Sequence, residues 1–270
     1  RRLRLSFTDM RHAPQLLHVL LASAAFGAPP AEQGYKQTFA DEFNGATLDA
    51  SHWTAQDGDR RDARNSPRAV AVRDGILTLT TFTSGGKHHT GFVTSEKKFE
   101  QVQGYFEARI RFSDVPGMWS AFWMMPMTYG KSKDPAKADV DGVEIDIVEH
   151  LAQMGGQFDT TIHWGGYGAP LQNTRTQRHK PAKGANDGWH TYAVQWEPDG
   201  YRMYFDDVLS WTAPKDIPVS RAPQHILLTC EVEDKGWAGN VPAGGFGELA
   251  NSKVKMEIDW VRVWKKPAAR

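Results

Sequence analysis

Apolar and polar residues alternate with a period of two along several short segments of the chain. Residues 105–112 read YFEARIRF, so their apolar side chains point to one side and most of their polar side chains to the other. Comparable segments cover residues 76–81, 191–196, 201–205 and 255–264. Residues 74–75 and 197–200 have the composition of tight turns. The pattern predicts many short strands joined by turns.

The pattern contains no long segment with the 3.6-residue apolar period of an amphipathic helix, and no succession of strand, helix and strand. An all-β chain of this kind favours a sandwich or a jelly roll. Residues 129–141 and 165–188 lack the alternation and are predicted as loops. Because long loops in a compact domain often shape binding sites, we expect them to border the functional site.

One segment, DGVEIDIVEH at residues 141–150, carries acidic residues within a β-branched run. In a regular strand Glu144 and Asp146 share one face, and the isoleucines beside them face the core. Glu149 joins the acidic face only if a β-bulge lies at 147–148. A helix is the competing interpretation, because residues at i and i+3 also share a face, but β-branched residues favour the strand.

Three carboxylates on one face repel one another unless a function, a shared proton or a metal ion holds them together. Retaining glycosidases need two carboxyl groups about 5–5.5 Å apart, one as nucleophile and one as acid/base. An acid between them can tune both pKa values. The cluster therefore makes a glycosidase one hypothesis, with a metal cluster or a solvated acidic face as the alternatives.

Composition narrows the class of partner. Lys plus Arg and Asp plus Glu each number 32, and the formal net charge is zero. A neutral chain has no global attraction for nucleic acid, and a neutral polymer such as a polysaccharide suits it better. Ten tryptophans supply flat faces that either pack in the core or stack on sugar rings. The one cysteine, Cys230, cannot form an intrachain disulfide and is interpreted as a small buried residue.

The N-terminal region has the pattern of a secretory signal. A short basic segment at residues 10–12 precedes an apolar run that ends in small residues and is too short to span a bilayer. We therefore predict an extension with a signal peptide over 1–28, a linker over 29–35 and a single catalytic domain over 36–267. The protein is expected to be secreted or periplasmic, with no membrane or nucleic-acid partner.

The acidic strand also resembles a known signature. Residues 144–149 follow the pattern Glu-x-Asp-x-x-Glu, which resembles the bulged motif of glycoside hydrolase family 16. Further resemblance lies in residues 39–45, 104–109, 117–126, 190–196 and 258–263. The resemblance implies a β-jelly-roll sandwich of two antiparallel sheets with a concave substrate cleft. It also implies that Glu144 is the nucleophile, Glu149 the general acid/base and Asp146 a supporting acid, with no catalytic cofactor.

Six further residues are candidates for substrate binding in that cleft. They are Trp119, Trp123, His163, Trp164, Glu107 and Arg109. Each has a structural alternative, because tryptophans pack in cores, a histidine can be held by hydrogen bonds, and Glu107 and Arg109 can form a buried ion pair.

A structural calcium ion on the convex face is a further implication of the resemblance. Asp259 matches the acidic ligand in the last strand, and the carbonyl groups of Glu42 and Gly75 are the other candidate donors. Oxygen ligands suit calcium. A plain surface acid at Asp259 is the alternative.

The predicted activity is endo-hydrolysis, by a monomer, of a β-1,3-glucan or a mixed β-1,3/1,4-glucan. Residues 230–240 depart from the run usual in laminarin-cleaving members, so an algal β-galactan of the agar, porphyran or carrageenan type is the alternative. Basic residues between Arg175 and Lys183 are candidates for contacts with its sulfate groups, or else form a solvated loop. A lectin, a non-catalytic glycan-binding jelly roll, is the alternative from another class.

Overall fold

A computed structural model describes Pro29 and residues 34–267. The predicted signal peptide lies outside the described residues, as does most of the predicted linker. Within them the chain forms β1 (Lys36–Asp41), β2 (Thr54–Ala55), β3 (Gly58–Arg60), β4 (Ala63–Asn65), β5 (Val70–Arg73), β6 (Ile76–Thr80), β7 (Phe82–Ser84), β8 (Lys87–Thr90), β9 (Phe92–Thr94), β10 (Gly104–Phe112), β11 (Met118–Met125), β12 (Val143–Leu151), β13 (Phe158–Trp164), β14 (Asn173–His179), β15 (His190–Glu197), β16 (Gly200–Phe205), β17 (Val208–Thr212), β18 (His225–Val232) and β19 (Lys255–Lys265). One short helix, α1 (Ala138–Asp141), and 3₁₀ turns at Pro67–Ala69, Pro135–Lys137 and Ala152–Met154 complete the elements. No helix in this part of the chain has the length and hydropathy that a membrane span requires.

Two large antiparallel sheets carry most of the strands. Sheet A has the order β17–β16–β15–β10–β19–β6–β5, with β1 also paired to β19. Sheet B has the order β14–β13–β12–β11–β18–β9–β2. A small sheet C, in the order β3–β4–β8–β7, contains the parallel pair β4 and β8. The predicted all-β sandwich of two antiparallel sheets is confirmed.

The hydrophobic core lies between sheets A and B. Alternate residues of β10, such as Phe106 and Ile110, enter it from sheet A, and Ile145 enters it from β12 in sheet B. Because side chains alternate along a strand, the intervening residues of each strand face outward. The residues between the core positions of β12 therefore lie on the outer face of sheet B.

Both predicted loops contain regular structure. The stretch 165–188 includes β14, which pairs with β13 at the edge of sheet B, and 129–141 includes a 3₁₀ turn followed by α1. β14 reads NTRTQRH and is largely exposed, so it has no apolar face to produce an alternating pattern. The loop prediction was wrong for this strand because an edge strand can form without burying one face.

Candidate active site

A β-bulge in β12 brings three acidic side chains to the outer face of sheet B. Asp146 pairs with Thr161 and Glu149 pairs with Asp159. Three residue steps along β12 therefore lie opposite two residue steps along β13, which is the definition of a β-bulge. The pairing of β12 with β11 shifts at the same place. The predicted bulge at 147–148 is confirmed, and both of its side chains remain in the core.

Burial raises the pKa of all three carboxyl groups. Desolvation is the main cause, and it raises the pKa of Glu144 to about 7 and that of Glu149 to about 8. The pKa of Asp146 is raised well above its usual value by desolvation and then by its two acidic neighbours. Acids that interact this closely take up and release protons as a group.

Two hydroxyl groups hold the outer acids in place. Thr161 Oγ1 donates a hydrogen bond to Glu149 Oε2 at 2.9 Å, and the Tyr167 hydroxyl donates to Glu144 Oε2. Each hydrogen bond lowers the pKa of its acceptor and so opposes part of the effect of burial. The two glutamates therefore have different partners and different proton affinities.

His163 lies against the other side of the cluster. Its Nε2 atom is 3.4 Å from Asp146 Oδ2 and 3.9 Å from Glu144 Oε1, while Nδ1 is 2.8 Å from Thr174 Oγ1. Burial lowers the pKa of the imidazole, which favours its neutral form. Glu144, Asp146 and His163 each present one ligand atom, and these atoms lie within 4.8 Å of one another, so they could hold a metal ion.

The acids open into a cleft made of three adjoining cavities. All three acids line the central cavity of about 280 Å³, which is flanked by cavities of about 730 Å³ and 440 Å³. Glu144 and Glu149 also line the smaller flanking cavity, and Tyr167 lines all three. An extended cleft with acids near its middle can hold a polymer across the carboxyl groups.

Trp119 and Trp123 stand in the wall of this cleft on β11, as predicted. Trp119 lies under the Arg61 guanidinium, whose carbon is 4.4 Å from the ring centroid, and against Trp237 at a centroid distance of 5.1 Å. Trp123 Nε1 donates a hydrogen bond to Thr229 Oγ1 at 3.1 Å. Both indoles are therefore fixed by neighbours, and stacking on a sugar stays a prediction for each.

A pair of arginines at the cleft was not predicted from the sequence. Arg60 Nη2 is 2.9 Å from Glu231 Oε1, and Arg61 Nε is 2.5 Å from Glu231 Oε2. All three residues line the central cavity together with the acids. The pair lies at the β3–β4 turn, and nothing in its local pattern shows that sheet C stands beside the acidic strand.

Tyr167 is a further residue that sequence reasoning missed. It lies between Gly166 and Gly168, whose φ angles of +114° and +81° favour glycine, and its ring centroid is 4.9 Å from that of Tyr129. An aromatic residue flanked by glycines in a predicted binding loop was the available signal. Its hydroxyl group is the one that reaches Glu144.

Trp164 does not reach the cleft. It follows His163 directly in β13, and adjacent side chains of a strand point to opposite faces. Trp164 packs against the core cluster between the sheets, whereas His163 faces the cavity. The prediction that Trp164 stacks on a sugar was wrong because alternation allows only one of the two residues to face outward.

Glu107 and Arg109 also lie away from the cleft. Their strand, β10, belongs to sheet A, and its other face fills the core. Arg109 Nη1 is 2.5 Å from Asp259 Oδ2, so the arginine forms an ion pair, but a partly exposed one and not the buried pair of the alternative. The prediction that both residues point into the cleft was wrong because alternation identifies a face but not the sheet.

The candidate calcium ligands have other partners in this structure. The Asp259 carboxylate pairs with Arg109, and the Glu42 carboxylate accepts hydrogen bonds from Arg262 at 2.7 and 2.8 Å. Gly75 lies in the β5–β6 turn with a φ of +77°. These contacts do not test the carbonyl donors, so the calcium site stays a prediction.

The basic residues proposed to meet sulfate are largely paired. Arg175 Nη2 is 2.8 Å from Asp216 Oδ2, and Arg178 binds Asp159 with two hydrogen bonds of 2.6 and 2.7 Å. His179 stacks on Phe158 with a centroid distance of 4.5 Å. The side chains of Arg175, Arg178, Lys180 and Lys183 are nevertheless all exposed, which fits the alternative of a solvated surface, and contact with sulfate stays a prediction.

Comparison with known proteins gives one family over most of the chain. A family model described as "Beta-porphyranase A-D, GH16 domain" matches residues 35–266. The chain is 25% identical to the glucan endo-1,3-β-glucosidase A1 of Niallia circulans over 89% of its own length. It is 28% identical to the β-porphyranase E of Zobellia galactanivorans over 84% of its length and 85% of that protein. The chain spans only 40% of the length of the Niallia enzyme.

Solved structures share the architecture. SCLam, described as a non-specific endo-β-1,3(4)-glucanase, superimposes with a TM-score of 0.69 and 26% identity over 90% of this chain and 94% of its own. A laminarinase catalytic domain of Thermotoga petrophila superimposes with a TM-score of 0.70 at 21% identity, over 87% of this chain and 99% of that domain. These superpositions confirm the predicted jelly roll.

Proposed function

The chain belongs to glycoside hydrolase family 16, and on that basis we propose that it is a retaining endo-β-glycosidase that cleaves a polysaccharide by double displacement. The observation that carries this proposal is the bulge in β12, which turns Glu144, Asp146 and Glu149 into one cavity. A retaining glycosidase needs a nucleophile and a proton donor on opposite sides of the scissile bond. The cavity offers carboxyl groups for both roles.

We assign the nucleophile to Glu144 and the general acid/base to Glu149. In the first step the Glu144 carboxylate forms a bond to the anomeric carbon as the bond to the leaving oxygen breaks, and Glu149 gives that oxygen its proton. In the second step Glu149 takes a proton from water, and the resulting hydroxide displaces Glu144 from the sugar. Burial raises the pKa of Glu149, which suits a group that must start protonated, and the order of the two roles follows the resemblance of residues 144–149 to the family motif. No cofactor takes part in either step.

Stereochemistry and two variants test the mechanism. Proton NMR during hydrolysis should show that the newly formed product anomer keeps the β configuration. Glu144→Gln and Glu149→Gln should each lower kcat by about 10²–10⁴-fold, while binding of the glycan persists. A product of inverted configuration would rule out double displacement, and wild-type protein that binds glycans without cleaving any would make the lectin alternative correct.

We propose a sulfated β-galactan of the porphyran type as the substrate. The match to the porphyranase family model supports this choice over a neutral glucan, although relatives named as glucanases also match. Arg60 and Arg61 stand beside the acids, where each pairs with Glu231 through one nitrogen, and a guanidinium group has further N–H donors with which to bind an oxyanion. The glucan predicted from the sequence becomes the competing substrate.

A substrate panel separates the two. Porphyran, agarose, carrageenan, laminarin and lichenan should be compared by the release of reducing ends, and we expect the highest kcat/KM on porphyran. Arg60→Gln and Arg61→Gln should each lower that value by about 10-fold, since a hydrogen bond to a charged group contributes about 1.5–3 kcal/mol, and should have less effect on neutral agarose. Cleavage of laminarin or lichenan alone would restore the glucan prediction.

The remaining expectations are proposals of the same kind. We propose a secreted or periplasmic monomer with a signal peptide in residues 1–28 and a catalytic domain over 36–267. A structural calcium ion held by Asp259 and the carbonyl groups of Glu42 and Gly75 would require the Arg109 side chain to give up Asp259. Loss of thermal stability on chelation, reversed by Ca²⁺, would support that site.

A further inference from the structure

The group formed by Glu144, Asp146 and His163 has the spacing of a metal site. Ligand atoms placed about 2.1 Å from one ion in tetrahedral geometry lie about 3.4 Å from one another. The separation between His163 Nε2 and Asp146 Oδ2 is 3.4 Å, and that between His163 Nε2 and Glu144 Oε1 is 3.9 Å. All three ligand atoms lie within 4.8 Å of one another, so closing the widest pair by up to about 1.4 Å would place them around one centre.

Asp146 provides a second and independent observation. Its side chain is only 4% exposed, and its Oδ2 atom has no hydrogen-bond partner within residues 34–267. Buried carboxylate oxygens are normally hydrogen-bonded, because burying one without a partner costs free energy. This atom points at the His163 ring edge, where an ion would occupy the position of the absent partner.

The histidine is oriented as a ligand would be. Thr174 Oγ1 lies 2.8 Å from His163 Nδ1, and the Gln172 side-chain nitrogen lies 3.4 Å from the same atom. In the tautomer in which the threonine hydroxyl, the nearer partner, accepts the Nδ1 proton, the lone pair of Nε2 is directed at the carboxylates. Metal-binding histidines in proteins typically donate their second ring N–H in this way. The Thr174 contact therefore prepares the imidazole for a cation on its other side.

We propose that Glu144, Asp146 and His163 form a binding site for a divalent transition-metal ion, with Zn²⁺ as the best match. An imidazole nitrogen selects Zn²⁺, Cu²⁺ and Ni²⁺ over Mg²⁺ and Ca²⁺, and two carboxylates complete three positions of a tetrahedron. Glu144 and Asp146 line the central cavity and His163 lines the smaller flanking cavity, so water or a sugar hydroxyl group can reach an ion held between them.

Metal binding at this site inhibits the enzyme, a consequence that rests on the proposed role of Glu144. An ion bound to Glu144 Oε1 draws away the electron pair that the nucleophile needs and occupies the space of the reacting sugar. Inhibition by Zn²⁺ is therefore competitive with the glycan. The ion has no place in the reaction itself.

Calorimetric titration of the chelator-treated full chain with ZnCl₂ alone tests the site without any substrate. We expect wild-type protein to bind Zn²⁺ at this group, and His163→Gln to weaken that affinity by at least 10-fold. His88→Gln is the matched control, because His88 Nδ1 also lies 2.8 Å from a threonine hydroxyl, that of Thr83, but belongs to no such ligand group in the described residues. The control should bind Zn²⁺ as wild type does.

A second variant guards against misfolding of the first. Thr174→Val keeps the ligands and removes the hydroxyl that orients the ring, and such outer contacts change metal affinity by about 10–100-fold. Equal Zn²⁺ affinity in wild type, His163→Gln and Thr174→Val would overturn the proposal. Zn²⁺ binding that depends on His163, in a protein that cleaves no glycan, would support the metal site and refute the proposed function.

Discussion

At the scale of single residues, burial raises the pKa of both glutamates of the cleft, and the hydrogen bonds that each accepts differ. Glu144 and Glu149 sit in one cavity, yet the first accepts a hydrogen bond from a tyrosine and the second from a threonine. Burial raises the pKa of Glu144 to about 7 and that of Glu149 to about 8, and their mutual repulsion favours a pair that shares one proton near neutral pH. Two acids of the same type thereby become suited to different roles.

The pH profile of kcat/KM should follow from these values. Activity needs ionised Glu144, so it should rise as pH increases through about 7, and it needs protonated Glu149, so it should fall above about 8. We expect a narrow bell-shaped profile whose two limbs report apparent pKa values of the interacting carboxyl groups as a set. Initial rates at low substrate between pH 4 and pH 10 provide the measurement, and an optimum below pH 5 would contradict the effect of burial.

Tyr167 should control the acidic limb of that bell. Tyr167→Phe removes the hydrogen bond that lowers the pKa of Glu144, so the limb should move to higher pH. A hydrogen bond to a charged group contributes about 1.5–3 kcal/mol, so kcat/KM at pH 6 should fall by roughly 10-fold or more. The measurement is the pH profile of both proteins.

Tyr129→Phe is the control for this prediction, because Tyr129 is the ring neighbour of Tyr167 but does not donate the hydrogen bond to Glu144. Its profile should match that of wild type. An unshifted acidic limb in Tyr167→Phe would show that the tyrosine does not set the proton affinity of the nucleophile.

At the scale of elements, the bulge in β12 adds one residue between Asp146 and Glu149 without changing which face they share. Deleting Ile147 should leave a strand in which Glu144, Asp146 and Glu149 alternate strictly and still face the cleft. Deleting Ile145 should put Glu144 and Asp146 on opposite faces. Both deletions remove a buried isoleucine, at a cost of a few kcal/mol.

We therefore expect measurable hydrolysis from the variant without Ile147 and none from the variant without Ile145, because turnover requires both carboxyl groups on one face. Circular dichroism should first show that both proteins are folded. Equal activities in two folded variants would show that the face assignment in β12 does not govern catalysis.

The sequence was informative wherever strand periodicity alone decides the outcome. It predicted the bulge in β12, and it divided β10 into a core face and an outer face. It could not tell that β10 lies in sheet A, so Glu107 and Arg109 were assigned to a cleft that lies on the other sheet. Arg60 and Tyr167 were missed for a related reason, since only tertiary packing brings sheet C and the loop after β13 to the acids.

At the scale of the whole molecule, the two sheets each expose one outer face, and buried carboxyl groups lie on both. Glu149 lies on sheet B, and Glu107 lies on sheet A, where burial raises its pKa to about 8 as well. A carboxyl group with a raised pKa binds its proton more tightly in the folded state than in the unfolded chain. Its favourable contribution is complete below the unfolded value of 4.5 and is lost as pH rises through about 8.

The protein should therefore lose thermal stability between about pH 5 and pH 8, and neutral variants should recover it. Glu149→Gln and Glu107→Gln should each raise Tm at pH 9 by a few degrees relative to wild type, since about 1 kcal/mol corresponds to roughly 2–4 °C in a domain of this size. At pH 4.5 the difference should shrink, because the wild-type carboxyl groups are then protonated. Differential scanning fluorimetry across this range measures the effect.

Glu149→Gln should be stabilised and inactive, whereas Glu107→Gln should be stabilised and active because it lies on the opposite sheet. A lower Tm for both variants at pH 9 would mean that partners which glutamine cannot replace stabilise these carboxylates. Burial would then not be the cause of a raised pKa at Glu149, the proton donor of the cleft.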